Sequence, residues 1–170
     1  TRRSSDLYLP DDYETSNKQY PVLYAFDGHN IFLDAHATYG KAIHIQQHIE
    51  KLGIDMIVVG QECSHVGNNR LKEYAPYSFY DPEYGSFEGQ GEETMDFFVH
   101  ELKPYVDDHY RTKKTRKNTF IGGSSCGGLM ALYAAYAYSN VYSKAIVISP
   151  YVLESMDAIL KDIHQSHIQK

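Results

Sequence analysis

The sequence predicts an α/β fold with a mostly parallel sheet flanked by helices, and three observations carry that prediction. Short apolar runs alternate along the chain with stretches of helical period. The runs are apolar throughout rather than alternating, which suits strands buried on both faces of a parallel sheet. No repeat or linker interrupts the pattern. With 170 residues there is material for one core but not for two, so residues 1–170 are expected to form a single domain.

The elements follow in order. Leu7, Tyr8 and Leu9 end at Pro10, where Pro10-Asp11-Asp12 reads as a turn. Residues 20–26 (YPVLYAF) form an apolar strand closed by Asp27-Gly28. Ile45, Ile49 and Leu52 recur at helical spacing before Gly53, a C-terminal stop. A second strand covers 55–60 (DMIVVG). Residues 64–91 are rich in Gly, Asn, Pro and Tyr and keep no period; a loop of this length reads as a substrate-side segment carrying Tyr74, Tyr77, Tyr80 and Tyr84. Met95, Phe98, Leu102 and Val106 mark a helix, with Pro104 a local conflict inside it. Residues 118–121 lead a strand into a Gly/Ser cluster, and Leu129, Leu132, Tyr133 and Tyr136 mark the helix after it. A fourth apolar run spans 144–150 (KAIVISP), and residues 151–170 are helical in pattern.

Composition removes several functions. Sixteen Lys and Arg against 22 Asp and Glu give a net charge of −6, so no nucleic-acid partner is expected. The basic run at Lys113, Lys114, Arg116 and Lys117 reads as a solvated loop. No apolar run approaches the ~18 residues of a membrane span. Two cysteines, Cys63 and Cys126, cannot staple a disulfide-dense secreted domain, and no signal-like segment opens the sequence, so a cytoplasmic protein is expected. Sixteen Tyr and no Trp stand out; Tyr joins an apolar body to a polar tip and suits pocket walls.

The chemistry is carried by Gly123-Ser124-Ser125-Cys126-Gly127, a G-x-S-x-G pattern with Ser125 at its centre. It follows an apolar strand and opens a helix, the setting of a nucleophile elbow. The glycines answer a steric need, because the serine sits in a strained backbone close to strand and helix. The Cys126 N–H then points to where an oxyanion forms. The second donor of such a site comes from the loop after an earlier strand; here that loop is Asp27-Gly28-His29-Asn30, and the His29 N–H is the candidate. The rival use of the His29 imidazole as a general base ranks lower, since in this arrangement the base comes late in the chain. A Gly/Ser turn binding phosphate is the bland alternative, but neither a P-loop Lys nor a dinucleotide-turn spacing is present. His44 and His48 have H-x-x-x-H spacing, with His36 nearby, but lack the Glu and the third ligand of a zinc protease, so no metal is expected.

These stretches resemble the putative-esterase family of α/β-hydrolases, which includes esterase D, feruloyl esterases, enterochelin esterases and mycolyltransferases. The matching segments are LYLPDDY (7–13), YPVLYAFDGHNIF (20–32), DMIVVG (55–60), LKPYVDDHYRT (102–112) and NTFIGGSSCGGLMAL (118–132), in family order. A common family form has Met where Cys126 stands, but only that residue's backbone is needed. The resemblance implies an α/β-hydrolase fold and a serine esterase acting through an acyl-enzyme on Ser125. His29 and Cys126 would supply the oxyanion hole; a small-molecule ester would be the partner, with no cofactor. An acyltransferase on the same machinery and a non-catalytic binding protein remain alternatives, and a homo-oligomer stays open.

One departure matters. The family's triad acid and histidine follow later strands, so they are expected beyond Lys170, and the domain is expected to be C-terminally incomplete. Asp157, Asp162, His164 and His167 read instead as a solvated helix face. If nothing follows Lys170, the run 144–149 is expected at an uncovered sheet edge.

Overall fold

The computed structural model describes residues 5–152, 155–166 and 168. Five strands form the main sheet: β1 (Ser5–Tyr8), β2 (Val22–Phe26), β3 (Ile57–Gln61), β6 (Thr119–Ser124) and β7 (Lys144–Ile148). Their spatial order is β1-β3-β2-β6-β7. All neighbours are parallel except β1, which runs antiparallel to β3 at one edge. This is the mostly parallel α/β sheet that the apolar runs predict. Every residue of β2 and β3 is buried, as expected for strands covered on both faces.

The two faces carry different helices. On one, α1 (Ile45–Lys51) lays Ile49 against Leu23 and Val58. On the other, α3 (Gly91–Phe97), α4 (Lys103–His109) and α5 (Cys126–Ala137), with the turn joining α3 to α4, bury Met95, Phe98, Val106, Met130 and Ala134 against Tyr24, Phe26, Val59 and Ile121. The last helix, α6 (Met156–Gln165), packs Ile159 on the outer side of α5 against Leu129 and Tyr136. No helix among the described residues is long and apolar enough to cross a membrane.

The Pro104 conflict has a local solution. An α-helix would need an N–H at position 104 for the His100 carbonyl, and proline has none. The chain widens into a π turn over Phe98–Leu102, and α4 restarts with Pro104 in its first turn. Phe98, Leu102 and Val106 all stay in the core.

Two expectations need correction. Residues 64–91 are not a structureless loop: they hold α2 (Asn69–Glu73) and a hairpin of β4 (Phe79–Asp81) and β5 (Gly85–Phe87). The run 144–149 lies at an open edge, as expected, but it is not buried on both faces. β7 pairs with β6 alone among the described residues, and Ile146 and Ile148 are 48% and 47% exposed. An apolar run is ambiguous here, because hydrophobicity records what a strand is suited to meet and not whether a neighbour is present.

The tyrosines serve packing more than pocket walls. Tyr20, Tyr24 and Tyr74 are among the largest fully buried side chains. Tyr77 shares a hydrogen bond with the Tyr136 hydroxyl at 2.8 Å and donates to the Asp162 carboxylate, tying the 64–91 segment to α5 and α6. Asp162 is therefore half-buried and engaged rather than part of a solvated face, whereas Asp157 is exposed. Burial foremost, then the bond to Asp162, raises the Tyr77 hydroxyl well above the usual phenol range. Tyr77→Phe removes this junction and leaves Asp162 without its donor. It is expected to cost about 1–3 kcal/mol, read as a lower urea midpoint with an unchanged slope.

Candidate active site

The site is built where parallel strands end. The pairing sets Ala25 beside Gly122 on β6 and Phe26 beside Gln61 on β3. The segments that leave β2, β3 and β6 therefore emerge side by side at one end of the sheet, where open α/β sheets bind their ligands.

Ser125 is the apex between β6 and α5. Its backbone lies at φ 57° and ψ −122°, a region L-residues rarely occupy. Its N–H donates to the Ile148 carbonyl at 3.0 Å, and its carbonyl accepts from Leu129 and Tyr151. The backbone is thus held on both sides while the residue itself is exposed. The flanking glycines are required by close approach. A Cβ on Gly123 would lie 2.3 Å from the Gly127 carbonyl oxygen, and one on Gly127 would lie 2.9 Å from Phe26 Cβ. The second clearance lets the start of α5 sit directly against the end of β2.

The turn after β2 crosses β3 just as closely, since a Cβ on Gly28 would lie 2.4 Å from the Gly60 carbonyl oxygen. Asp27 enters this turn in a left-handed conformation, φ 58°, and is buried. Arg70 holds its carboxylate with two parallel hydrogen bonds, Nε to Oδ1 at 2.7 Å and Nη2 to Oδ2 at 2.8 Å. The Asp27 N–H donates to the Tyr74 hydroxyl at 3.2 Å, and that hydroxyl donates to Gln61 Oε1 at 3.1 Å. Burial, with Asp27 next, drives the Tyr74 hydroxyl far above the phenol range, so it stays protonated as this donor. Tyr74 is accordingly a wall inside the turn and not a substrate-facing residue.

His29 follows within a short 3₁₀ turn, Gly28–Asn30. Its ring is buried, Nε2 lies 3.1 Å from Thr38 Oγ1, and Nδ1 has no partner among the described residues. Burial lowers the imidazole below its ordinary value of 6.5, partly opposed by Asp27. Neither the His29 N–H nor the Cys126 N–H is taken by a backbone acceptor among the described residues. Cys126 is buried as the first residue of α5, so its N–H is one of the free donors at that helix start.

Other candidates do not assemble. His164 Nδ1 is bonded to its own helix at the Leu160 carbonyl, and His167 lies outside the described residues. His44 pairs with Asp34 at 2.8 Å, while His36 and His48 are exposed. An apolar opening lined by Leu23, Ile43, Ile146 and Ile148 reaches Asp27, Asn30, Gly123 and Ser124 but not Ser125, His29 or Cys126. A smaller cleft between Leu71, Tyr74, Phe79, Cys126 and Tyr151 lies on the α5 side.

Sequence reasoning missed Arg70. Arg70 on α2 and Tyr74 at its C-terminal cap stand four apart, the spacing that puts two side chains on one helix face, and that was the available signal. Their partner Asp27 is 43 residues away from Arg70 in sequence, which no local pattern reveals.

A mostly parallel sheet covered by helices, with a serine on a strained strand-to-helix turn at its end, is the α/β-hydrolase architecture. The chain belongs to the family described as Putative esterase, whose model matches residues 1–167. The Bacillus subtilis protein YjcH is 31% identical over 147 residues, 86% of this chain and 55% of its own length. Esterase Rv1288 of Mycobacterium tuberculosis is 31% identical over 140 residues, 81% of this chain and 27% of its own length. An IroE-like serine hydrolase from Shewanella oneidensis superposes with a TM-score of 0.76 at 22% identity, over 96% of this chain and 51% of that one. The chain spans about half the length of the Bacillus relatives it matches.

Proposed function

We propose that the protein is a serine carboxylic-ester hydrolase with Ser125 as nucleophile. The observation that carries this is the exposed, strained Ser125 between β6 and the first turn of α5. Ser125 Oγ attacks the ester carbonyl, the C–O bond to the alcohol breaks, and the acyl group stays on Oγ. The hydroxyl proton leaves through a base and reaches the departing alcohol. Water then attacks the acyl-enzyme and releases the acid. The N–H groups of Cys126 and His29 receive the negative oxygen, each donor contributing about 3–4 kcal/mol to the barrier reduction. The Asp27–Arg70 pair acts at one remove, fixing the turn that presents the His29 N–H.

Family membership supports the esterase reading, and the unspent donors at His29 and Cys126 support the assignment of roles. Activity-based labelling tests both. A fluorophosphonate probe on the intact protein is expected to attach to Ser125, located by peptide mass spectrometry, and to block hydrolysis of a p-nitrophenyl ester. Absence of labelling, or a Ser125→Ala protein that still labels elsewhere and hydrolyses at the native rate, overturns the proposal.

A further inference from the structure

Three potential ligand atoms converge beside the Asp27 turn. One ring nitrogen of His29, the Cys63 sulfur and one ring nitrogen of His65 all lie within 4.8 Å of one another. The topology explains why. Phe26 and Gln61 are paired across parallel strands; His29 comes three residues after the first, and Cys63 and His65 two and four after the second. A C-x-H spacing alone is too short to read as a metal motif. The missing ligand comes from the neighbouring strand's loop.

The most informative group is His29. Its side chain is buried, at 6% exposure, yet Nδ1 has no hydrogen-bond partner among the described residues. An orphaned buried nitrogen is costly and calls for an explanation, an ion among them. Nε2 is placed against the Thr38 hydroxyl, so an N–H there leaves the Nδ1 lone pair free for a ligand. That division of labour is typical of metal-ligating histidines. His65 Nε2 lies 3.8 Å from the Glu62 carboxylate, close enough for an ion pair but not for a hydrogen bond. Cys63 is buried and unpaired by any disulfide.

We propose that His29, Cys63 and His65 form a binding site for a Zn²⁺ ion, with a fourth position open to water. Two imidazoles and one thiolate suit a borderline-soft ion that accepts tetrahedral geometry. Zn–N and Zn–S bonds of about 2.0–2.3 Å place ligand atoms roughly 3.3–3.6 Å apart, so the cluster closes by at most about 1.5 Å on binding. The exposed His65 supplies that movement. On coordination the Cys63 S–H bond gives its proton to solvent, and the sulfur's electron pair forms the bond to zinc. The thiolate supplies one negative charge to the ion, with the Asp27 carboxylate beside Cys63 and the Glu62 carboxylate beside His65. The site is separate from the Ser125 hydroxyl but shares a residue with the turn that presents the His29 N–H, so zinc would stiffen that turn.

The test is titration of the metal-free protein with Zn²⁺ alone, competed against a chelating dye. One ion per chain is expected to bind at micromolar or tighter affinity. Co²⁺ in its place is expected to give the near-ultraviolet thiolate charge-transfer band and tetrahedral visible bands. His65→Ala, an exposed change that the fold should tolerate, and Cys63→Ser are each expected to weaken binding by more than the roughly 10–100-fold that follows loss of an outer partner. Thermal melting without metal confirms that both variants fold. His44→Ala serves as the comparison and should leave affinity unchanged. No stoichiometric binding, native affinity in folded His65→Ala, or loss in His44→Ala instead would overturn the proposal.

Discussion

Ser125→Gly is expected to abolish ester turnover while making the protein more stable. Removing the hydroxyl removes the nucleophile, and losses for such changes run to about 10⁴–10⁶-fold in rate. The stability change has a separate cause. Ser125 sits at φ 57° and ψ −122°, where an L-residue carries about 1–3 kcal/mol of strain. Glycine occupies that region freely but loses about 0.5–1 kcal/mol through its looser unfolded state. The net expectation is a gain of up to about 2.5 kcal/mol, a few degrees in Tm for a chain of this size. Ser125→Ala separates the two effects, since it loses the hydroxyl and keeps the strain; it should be equally inactive and melt with the native protein. A Ser125→Gly protein melting below Ser125→Ala would show that the elbow stores no strain.

The second large effect is at Arg70. The Asp27 side chain is only 8% exposed, and Arg70 supplies both hydrogen bonds from a guanidinium to its carboxylate. Breaking a buried pair from one side leaves an uncompensated charge, which costs about 3–5 kcal/mol. Arg70→Ala is therefore expected to lower Tm by roughly 6–20 °C at about 2–4 °C per kcal/mol for this length. Labelling of Ser125 by the fluorophosphonate should slow as well, because the turn bearing the His29 N–H loses its anchor. The double change Asp27→Asn with Arg70→Ala removes the charge together with its partner. Asn tolerates the left-handed backbone that position 27 adopts, so the double variant should recover most of the lost stability. If it is as unstable as Arg70→Ala alone, packing of the arginine stem, not its charge, holds the turn.

The parts legible in the sequence were those with local causes. β2, β3 and β6 were visible as apolar runs, and the elbow as glycines placed where strand, turn and helix crowd one another. Ser125, Cys126 and His29 came from that local logic. What escaped was non-local. Asp27 meets Arg70 across 43 residues, and Tyr77 meets Asp162 across 85, so neither pair leaves a trace in period or composition. His29 and Cys63 are joined only by strand pairing. The π turn before Pro104 was visible as a conflict but not as its resolution. β7 reads as buried because its side chains suit burial, while its exposure depends on what lies beside it.

The strand order also sets when the site can exist during folding. β1, β3 and β2 all come from residues 5–61 and can pair among themselves, and α2 can then bring Arg70 to Asp27. The other edge of β2 stays open until residues 119–124 dock as β6. Ser125 therefore joins its proposed oxyanion donor from the β2 turn only after a closure spanning about a hundred residues, the kind of long-range step that slows folding. A nascent or partly unfolded chain would carry a formed Asp27 turn with no nucleophile beside it. The emergence of probe reactivity at Ser125 would then report the docking of β6 and β7 onto β2, later than the helix signal.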